Sequence, residues 1–187
     1  MSHTHTGGRS IILIGLMGAG KSTIGRELSR ATGFSFLDTD AVIEEQTGMS
    51  IPDIFRERGE RHFRLLETTL LRYIYHNTQE TGIAHIISTG GGIVLQEENR
   101  ELLHKLGFCV WLTADVPTLL ARTARAQNRP LLQVDDREAT LYELLRVRAP
   151  LYEEASHLSL DSSGLKATEV VDAIIARSQE FFSEAEL

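Results

Sequence analysis

Gly15-Leu16-Met17-Gly18-Ala19-Gly20-Lys21-Ser22-Thr23 fits the pattern G-x-x-x-x-G-K-[ST] at every position. A triphosphate needs many donors converging on one compact, highly charged group, and a glycine-rich loop lets backbone N–H groups approach it closely. Upstream, Ile11-Ile12-Leu13-Ile14 is an all-apolar run suited to a buried parallel strand; downstream, Thr23 to Thr32 carries apolar residues at helical spacing. Strand, loop and helix in that order put the phosphates at a helix N-terminus, where unpaired N–H groups and the helix dipole favour an anion. Lys21 is expected to reach the β- and γ-phosphates and Ser22 to hold Mg²⁺, with Gly18, Ala19, Gly20 and Thr23 completing the nucleotide cradle.

The rest of the chain sets the frame for that loop. Its 187 residues are enough for one compact domain with a substantial core. A formal net charge of -7 excludes the basic footprint of a general nucleic-acid binder. Of the 19 basic residues only Lys21, Lys105 and Lys166 are lysines, so positive charge comes chiefly from arginine, the better residue for forked contacts to carboxylate and phosphate. Cys109, the only cysteine, sits in the apolar run Phe108 to Leu112 and reads as a buried small hydrophobe; with no disulfide possible within the chain, a reducing cytoplasm is expected. Residues 1–9 are polar and are expected to form a disordered tail without a secretory h-region, and no apolar run approaches the 18 or so residues of a membrane span. The seven histidines show no paired ligand spacing, so a histidine-bound metal is not expected.

Phe34 to Leu37 reads as a second strand ending at Asp38-Thr39-Asp40. Ligands of open parallel sheets bind at the carboxyl ends of the strands, and side chains two apart on an extended segment point the same way. One carboxylate can serve Mg²⁺ and the other a substrate hydroxyl, as phosphoryl transfer requires. The plainer role for Asp40 is to cap a helix starting at Ala41, and both roles can coexist. Ser50 is expected to cap the next helix, and a long helical region follows, apolar at Leu66, Leu70, Tyr73 and Ile74; spacing does not decide whether Arg64 faces the cleft. A third strand, Ala84 to Ser88, runs into Gly90-Gly91-Gly92, where side chains must be absent for a close approach or where the chain simply turns. Asp115 opens a helix, and Arg122 to Leu132 leaves it as a polar, proline-marked connection read as a mobile lid. The helix from Arg137 is expected to break at Ala149-Pro150, leaving Arg148 at its C-terminal end, where a cation suits the dipole even without a ligand. A short last strand, Leu158 to Leu160, precedes a closing helix from Lys166 to Ser178.

With these residues in view the chain resembles the shikimate kinase family over about Ser10 to Ser178. The resemblance rests on Gly15 to Thr23, on F-L-D-T-D (Phe36 to Asp40), on F-R-x-x-E (Phe63, Arg64, Glu67), on Gly90 to Gly92, on R-P-L-L (Arg129 to Leu132) and on R-A-P-L-Y (Arg148 to Tyr152). It implies a three-layer α/β/α P-loop fold of the nucleoside-monophosphate-kinase kind, with a five-stranded parallel sheet, a helical substrate-binding region at about 40–76, a lid at about 122–136, and tails at 1–9 and 179–187 flanking a single kinase domain at 10–178. It also implies transfer of the γ-phosphoryl of ATP to the 3-hydroxyl of shikimate, with Mg²⁺ managed by Ser22 and Asp38. Asp40 would accept or orient the hydroxyl proton, assisted by Lys21 and Arg129 at the phosphates. Arg64 and Arg148 would bind the substrate carboxylate, Gly91 would contact the substrate through its backbone, Phe55 and Phe63 would wall the ring, and Arg122 would pack near the adenine. The family often carries a polar or basic residue near the base where this chain has Gly164-Leu165. A cytoplasmic monomer with no nucleic-acid or membrane partner is expected. Two alternatives stand beside this: a related small-molecule kinase such as gluconate kinase, and a catalytically silent nucleotide-binding protein of the same fold.

Overall fold

The computed structural model describes residues 9–124, 131 and 134–184. Arg129, most of the expected lid and the outer parts of both expected tails lie outside the described residues. Five strands, β1 (Ser10–Ile14), β2 (Ser35–Asp38), β3 (His85–Ser88), β4 (Gly107–Thr113) and β5 (Leu158–Asp161), form one sheet in the order β2-β3-β1-β4-β5. Every pairing is parallel; Leu13, for example, lies between Ser88 and Val110. β1 is buried at all five positions, as its unbroken apolar run requires of a central strand covered on both faces. Each fully buried Ile or Leu there contributes about 1.5–3 kcal/mol of transfer free energy.

Eight helices connect and cover the strands among the described residues: α1 (Lys21–Thr32), α2 (Thr39–Thr47), α3 (Ile51–Arg58), α4 (Glu60–Thr81), α5 (Glu97–Leu106), α6 (Val116–Thr123), α7 (Arg137–Ala155) and α8 (Ala167–Glu184). α1 packs against α8, whereas α5 packs against both α4 and α7, and all three pack around the 3-10 turn Ile93–Leu95. α1 approaches β2 through Gly25, where a Cβ would collide with the Phe36 ring. Because β1 feeds toward β2 and β3 crosses back to β4, the connections diverge at the carboxyl ends of β1 and β3, which is where an open α/β sheet leaves a crevice.

Three boundaries differ from expectation by two residues or more. α2 begins at Thr39 rather than Ala41, and its cap is Asp38, whose Oδ1 accepts from the N–H groups of Asp40 and Ala41 at 3.2 and 3.4 Å. Such a cap is worth about 1 kcal/mol, and it leaves Asp40 in the first turn. α7 does not break at Pro150 but continues to Ala155, which corrects the reading of Arg148 as a helix-terminal cation. A proline inside a helix costs about 3 kcal/mol; here Tyr152 and Ala155, both fully buried, anchor the turn beyond it. α8 runs to Glu184, past the boundary expected at Ser178, because Phe181 and Phe182 pack against the Phe108 ring. The caps at Ser50 and Asp115 are as expected, accepting from Asp53 N–H and Thr118 N–H.

Candidate functional site

At the crevice the phosphate loop, the ends of β2 and β3, and α6 line a cleft of about 640 Å³, within the size range of small-molecule sites. Gly18, Ala19, Gly20, Lys21, Ser22, Thr23, Asp38, Asp40, Gly91 and Arg122 all contribute to its walls. Gly18 and Gly20 have φ of 84° and 92°, so glycine is required at both to turn the loop. Gly20 is also the N-cap of α1 and offers no side-chain acceptor, which leaves the first N–H groups of the helix available to an anion. Lys21 is buried and donates to Gly15 O and Leu16 O at 2.8 and 2.9 Å. Its ammonium is thereby held in the loop.

Ser22 Oγ donates to Asp38 Oδ2 at 2.7 Å and stands 3.3 Å from Ser88 Oγ. Hydroxyl and carboxylate oxygens are the hard donors that Mg²⁺ takes, usually one or two from protein with phosphate and water completing the octahedron. The pair therefore fits such an ion. Among the described residues no cluster of three or more His, Cys, Asp or Glu side chains is placed to bind a metal.

The three consecutive glycines have three different reasons. A Cβ on Gly90 would stand 2.6 Å from Asp40 Oδ1 and 2.8 Å from Glu67 Oε1. One on Gly92 would overlap the Arg64 guanidinium, and one on Gly91 would touch the phosphate-loop backbone at Gly15 O and Met17 N. The loop is thus pressed between the nucleotide cradle and a charged cluster behind it. Gly91 O accepts from Arg148 Nη1 at 2.9 Å and from the Tyr152 hydroxyl. Burial pushes Tyr152 up to about 12, so it remains a donor.

Arg64 is only 7 % exposed. Its Nη1 donates to Glu67 Oε2 at 2.7 Å, and its Nε and Nη2 together grip Glu60 Oε1 at 3.2 and 2.7 Å. Glu67 is almost wholly buried, with Oε1 lacking a hydrogen-bond partner. Burial pushes Glu67 up to about 7 against the pull of Arg64, and the Asp40 carboxylate adds to the rise. Phe55 and Phe63 pack with ring centroids 5.0 Å apart, and the Arg64 guanidinium lies 5.3 Å from the Phe63 centroid. Arg64, Arg148, Phe55 and Phe63 do not line the cleft itself; they stand behind Gly90 to Gly92, joined to it by Gly91 O and by the contact at Gly92.

Arg122 comes to the other end of the cleft, donating to Gly18 O at 3.2 Å and to Ser162 at both Oγ and O. Sequence reading missed Ser162, since a lone serine after a short strand carries no pattern. It also assigned no role to Glu67, although F-R-x-x-E puts it one helical turn from Arg64. Cys109 is fully buried with its thiol pushed up by burial, an inert core residue.

A family model described as shikimate kinase matches residues 17–179. The chain belongs to the shikimate kinase family. Curated shikimate kinases from Thioalkalivibrio sulfidiphilus and Halorhodospira halophila are 47% and 44% identical, the first over 88% of this chain and 84% of its own, the second over 96% and 98%. Among solved structures, the family member from Acinetobacter baumannii, determined in complex with shikimate, superposes with a TM-score of 0.86 at 40% identity, covering 91% of this chain and 93% of that one. A gluconokinase from Sinorhizobium meliloti reaches a TM-score of 0.56 at 16% identity, covering 97% of each chain, a likeness of fold alone. No helix among the described residues is long and apolar enough to cross a membrane.

Proposed function

We propose that this chain transfers the γ-phosphoryl of ATP to the 3-hydroxyl of shikimate. The observation that carries the reading is the junction at Gly90 to Gly92, where an arginine-rich cluster meets the phosphate loop across three residues without side chains. In the proposed reaction the N–H groups at the start of α1 and Lys21 hold the triphosphate. Ser22 and Asp38 are the residues that would hold Mg²⁺, which would supply neutralisation of the charge on the phosphates. Asp40 accepts or orients the proton of the attacking hydroxyl, and the bond from the γ-phosphorus to the bridging oxygen breaks as the new ester forms. Arg129 is assigned to the phosphates by the resemblance alone.

Arg64 and Arg148 are the cations for the substrate carboxylate, with Gly91 beside it and Phe55 and Phe63 as the ring wall. The grip of Arg64 on Glu60 supports this assignment: the Nε and Nη2 edge already holds a carboxylate oxygen of a half-exposed residue, the same chemistry a bound acid would present. The substrate would take over that edge. Arg122 is proposed as a contact for the adenine.

The reading is of one domain, spanning about residues 10–184, that works as a cytoplasmic monomer without nucleic acid or membrane. In its support, the net charge is negative and the single thiol is buried. The deciding experiment is a coupled assay of ADP release with shikimate and with gluconate. Release with shikimate is expected; release with gluconate alone, or ATP binding without release, overturns the proposal.

A further inference from the structure

Ser162, just past β5, has no part in the reaction as derived above, yet it is only 4 % exposed and makes contact with three elements of the cleft. Its N–H donates to Thr113 O at 2.9 Å, which ties it to the end of β4. Its carbonyl accepts from Arg122 Nη2 at 2.8 Å and its hydroxyl from Arg122 Nη1 at 3.0 Å. The same hydroxyl faces Ala19 O and Thr113 O, 3.0 Å from each. One hydroxyl has one proton, so it donates to one of these carbonyls at a time.

Two consequences follow from that geometry. First, Arg122 is held along one edge by Ser162 and Gly18 O, and a planar guanidinium fixed at its edge presents a flat face. The cleft that Arg122 lines also has Leu165, Ala167 and Val170 in its wall, which supply apolar surface. A flat cationic face against an apolar wall suits an aromatic base rather than a phosphate. Second, the carbonyl and N–H of a trans peptide point in opposite directions, so holding Ala19 O fixes the direction of Gly20 N–H, one of the donors of the phosphate loop.

We propose that Ser162 is a positioning residue for the nucleotide: it sets the plane of Arg122 as a shelf for the base and, through Ala19 O, holds that shelf at a fixed span from the phosphate loop. The proposal rests on ATP being the phosphoryl donor, as put forward above. A span fixed at both ends makes the cleft read base and triphosphate as one unit. The loss of Ser162 therefore weakens nucleotide binding while the acceptor half of the site is untouched.

The test is steady-state kinetics on the full chain carrying Ser162→Ala or Ser162→Thr, with ADP affinity measured by calorimetry beside it. Ser162→Ala is expected to raise KM for ATP and Kd for ADP about tenfold, and to leave kcat and KM for shikimate within about twofold. Ser162→Thr, which keeps the hydroxyl, restores the nucleotide values. In an Arg122→Ala background Ser162→Ala costs less than it does alone, because part of its effect runs through the shelf while the hold on Ala19 O remains its own. Should Ser162→Ala fail to fold, Ser162→Cys fills the same space with a weaker donor and carries the same expectation. Unchanged ADP affinity, equal rises in KM for both substrates, or full additivity with Arg122→Ala overturns the proposal. If the unaltered chain gives no shikimate-dependent ADP release, the phosphotransfer reading falls, while the ADP measurements still decide the role of Ser162.

Discussion

Glu67 is a buried carboxylate placed one helical turn from the arginine assigned to the substrate. Its pKa is pushed up to about 7, so the sign of its influence can be worked out. Below pH 7 it is neutral and Arg64 is fully available to an anion. Above pH 7 it is ionised and competes for the same guanidinium, making the neighbourhood more negative. KM for shikimate is therefore expected to rise several-fold between pH 6 and pH 8, and Glu67→Gln, which keeps an acceptor for Arg64, is expected to flatten that dependence. A KM in the unaltered chain that stays level across this range contradicts the assignment of Glu67 to the substrate cluster. Residues of this kind are the least legible from sequence. The spacing of Arg64 and Glu67 was visible, but their burial depends on α4 packing against α2, α3 and α5, which no local pattern contains.

At the scale of elements, most of the architecture was legible because each signal is local. The apolar run of β1, the loop glycines, and the caps at Ser50 and Asp115 act within a few residues of themselves. The misjudged elements were those where distant contacts outweigh a local rule. Pro150 stays inside α7 because Arg148 and Tyr152 both reach Gly91, fifty and more residues away in the chain. Asp38 rather than Asp40 caps α2, a shift of two residues that places Asp40 beside Gly90. The glycine run itself can be tested. Gly92→Ala would push the Arg64 guanidinium aside and disturb its buried pair with Glu67. The variant is expected to lose about 1–3 kcal/mol of stability while its KM for shikimate rises at least about tenfold. Unaltered shikimate binding would contradict the placement of Arg64.

A second element-scale prediction concerns the joint between α5 and β5. Cys109 N–H donates to His157 Nδ1 at 3.0 Å, which makes that nitrogen an acceptor and leaves the proton on Nε2. His157 Nε2 then faces His104 Nδ1 at 3.2 Å, and His104 Nε2 donates to Glu154 O. An added proton on His157 would set two donors against each other. Its pKa is lowered by burial and by His104. The native state therefore holds fewer protons than the unfolded chain once the pH falls below about 6.5. The contribution of His157 to stability is expected to decline from that point downward and to level off below the native pKa. Urea midpoints of the unaltered chain and of His157→Gln, each measured at pH 7.5 and pH 5.5, isolate this contribution from that of Glu67, which runs the other way: acidification should favour the variant over the unaltered chain. The same pH dependence in both proteins would contradict the account.

For the molecule as a whole, the loop at Gly15 to Thr23 establishes only that phosphates belong at the start of α1. What makes the site a two-substrate one is the arrangement of the sheet, which brings the ends of β1, β2 and β3 together and backs them with α4 and α7. Asp40, Arg64, Gly91 and Arg148 come from four separate stretches of chain and meet around one glycine run. The motifs were legible one by one; their convergence is a property of the fold. The most direct test follows the fate of the phosphoryl group. With ATP labelled at the γ-phosphoryl, the account predicts that label appears on the 3-hydroxyl of shikimate in step with ADP, with little inorganic phosphate released. Label appearing as inorganic phosphate at the same rate with and without shikimate would contradict it.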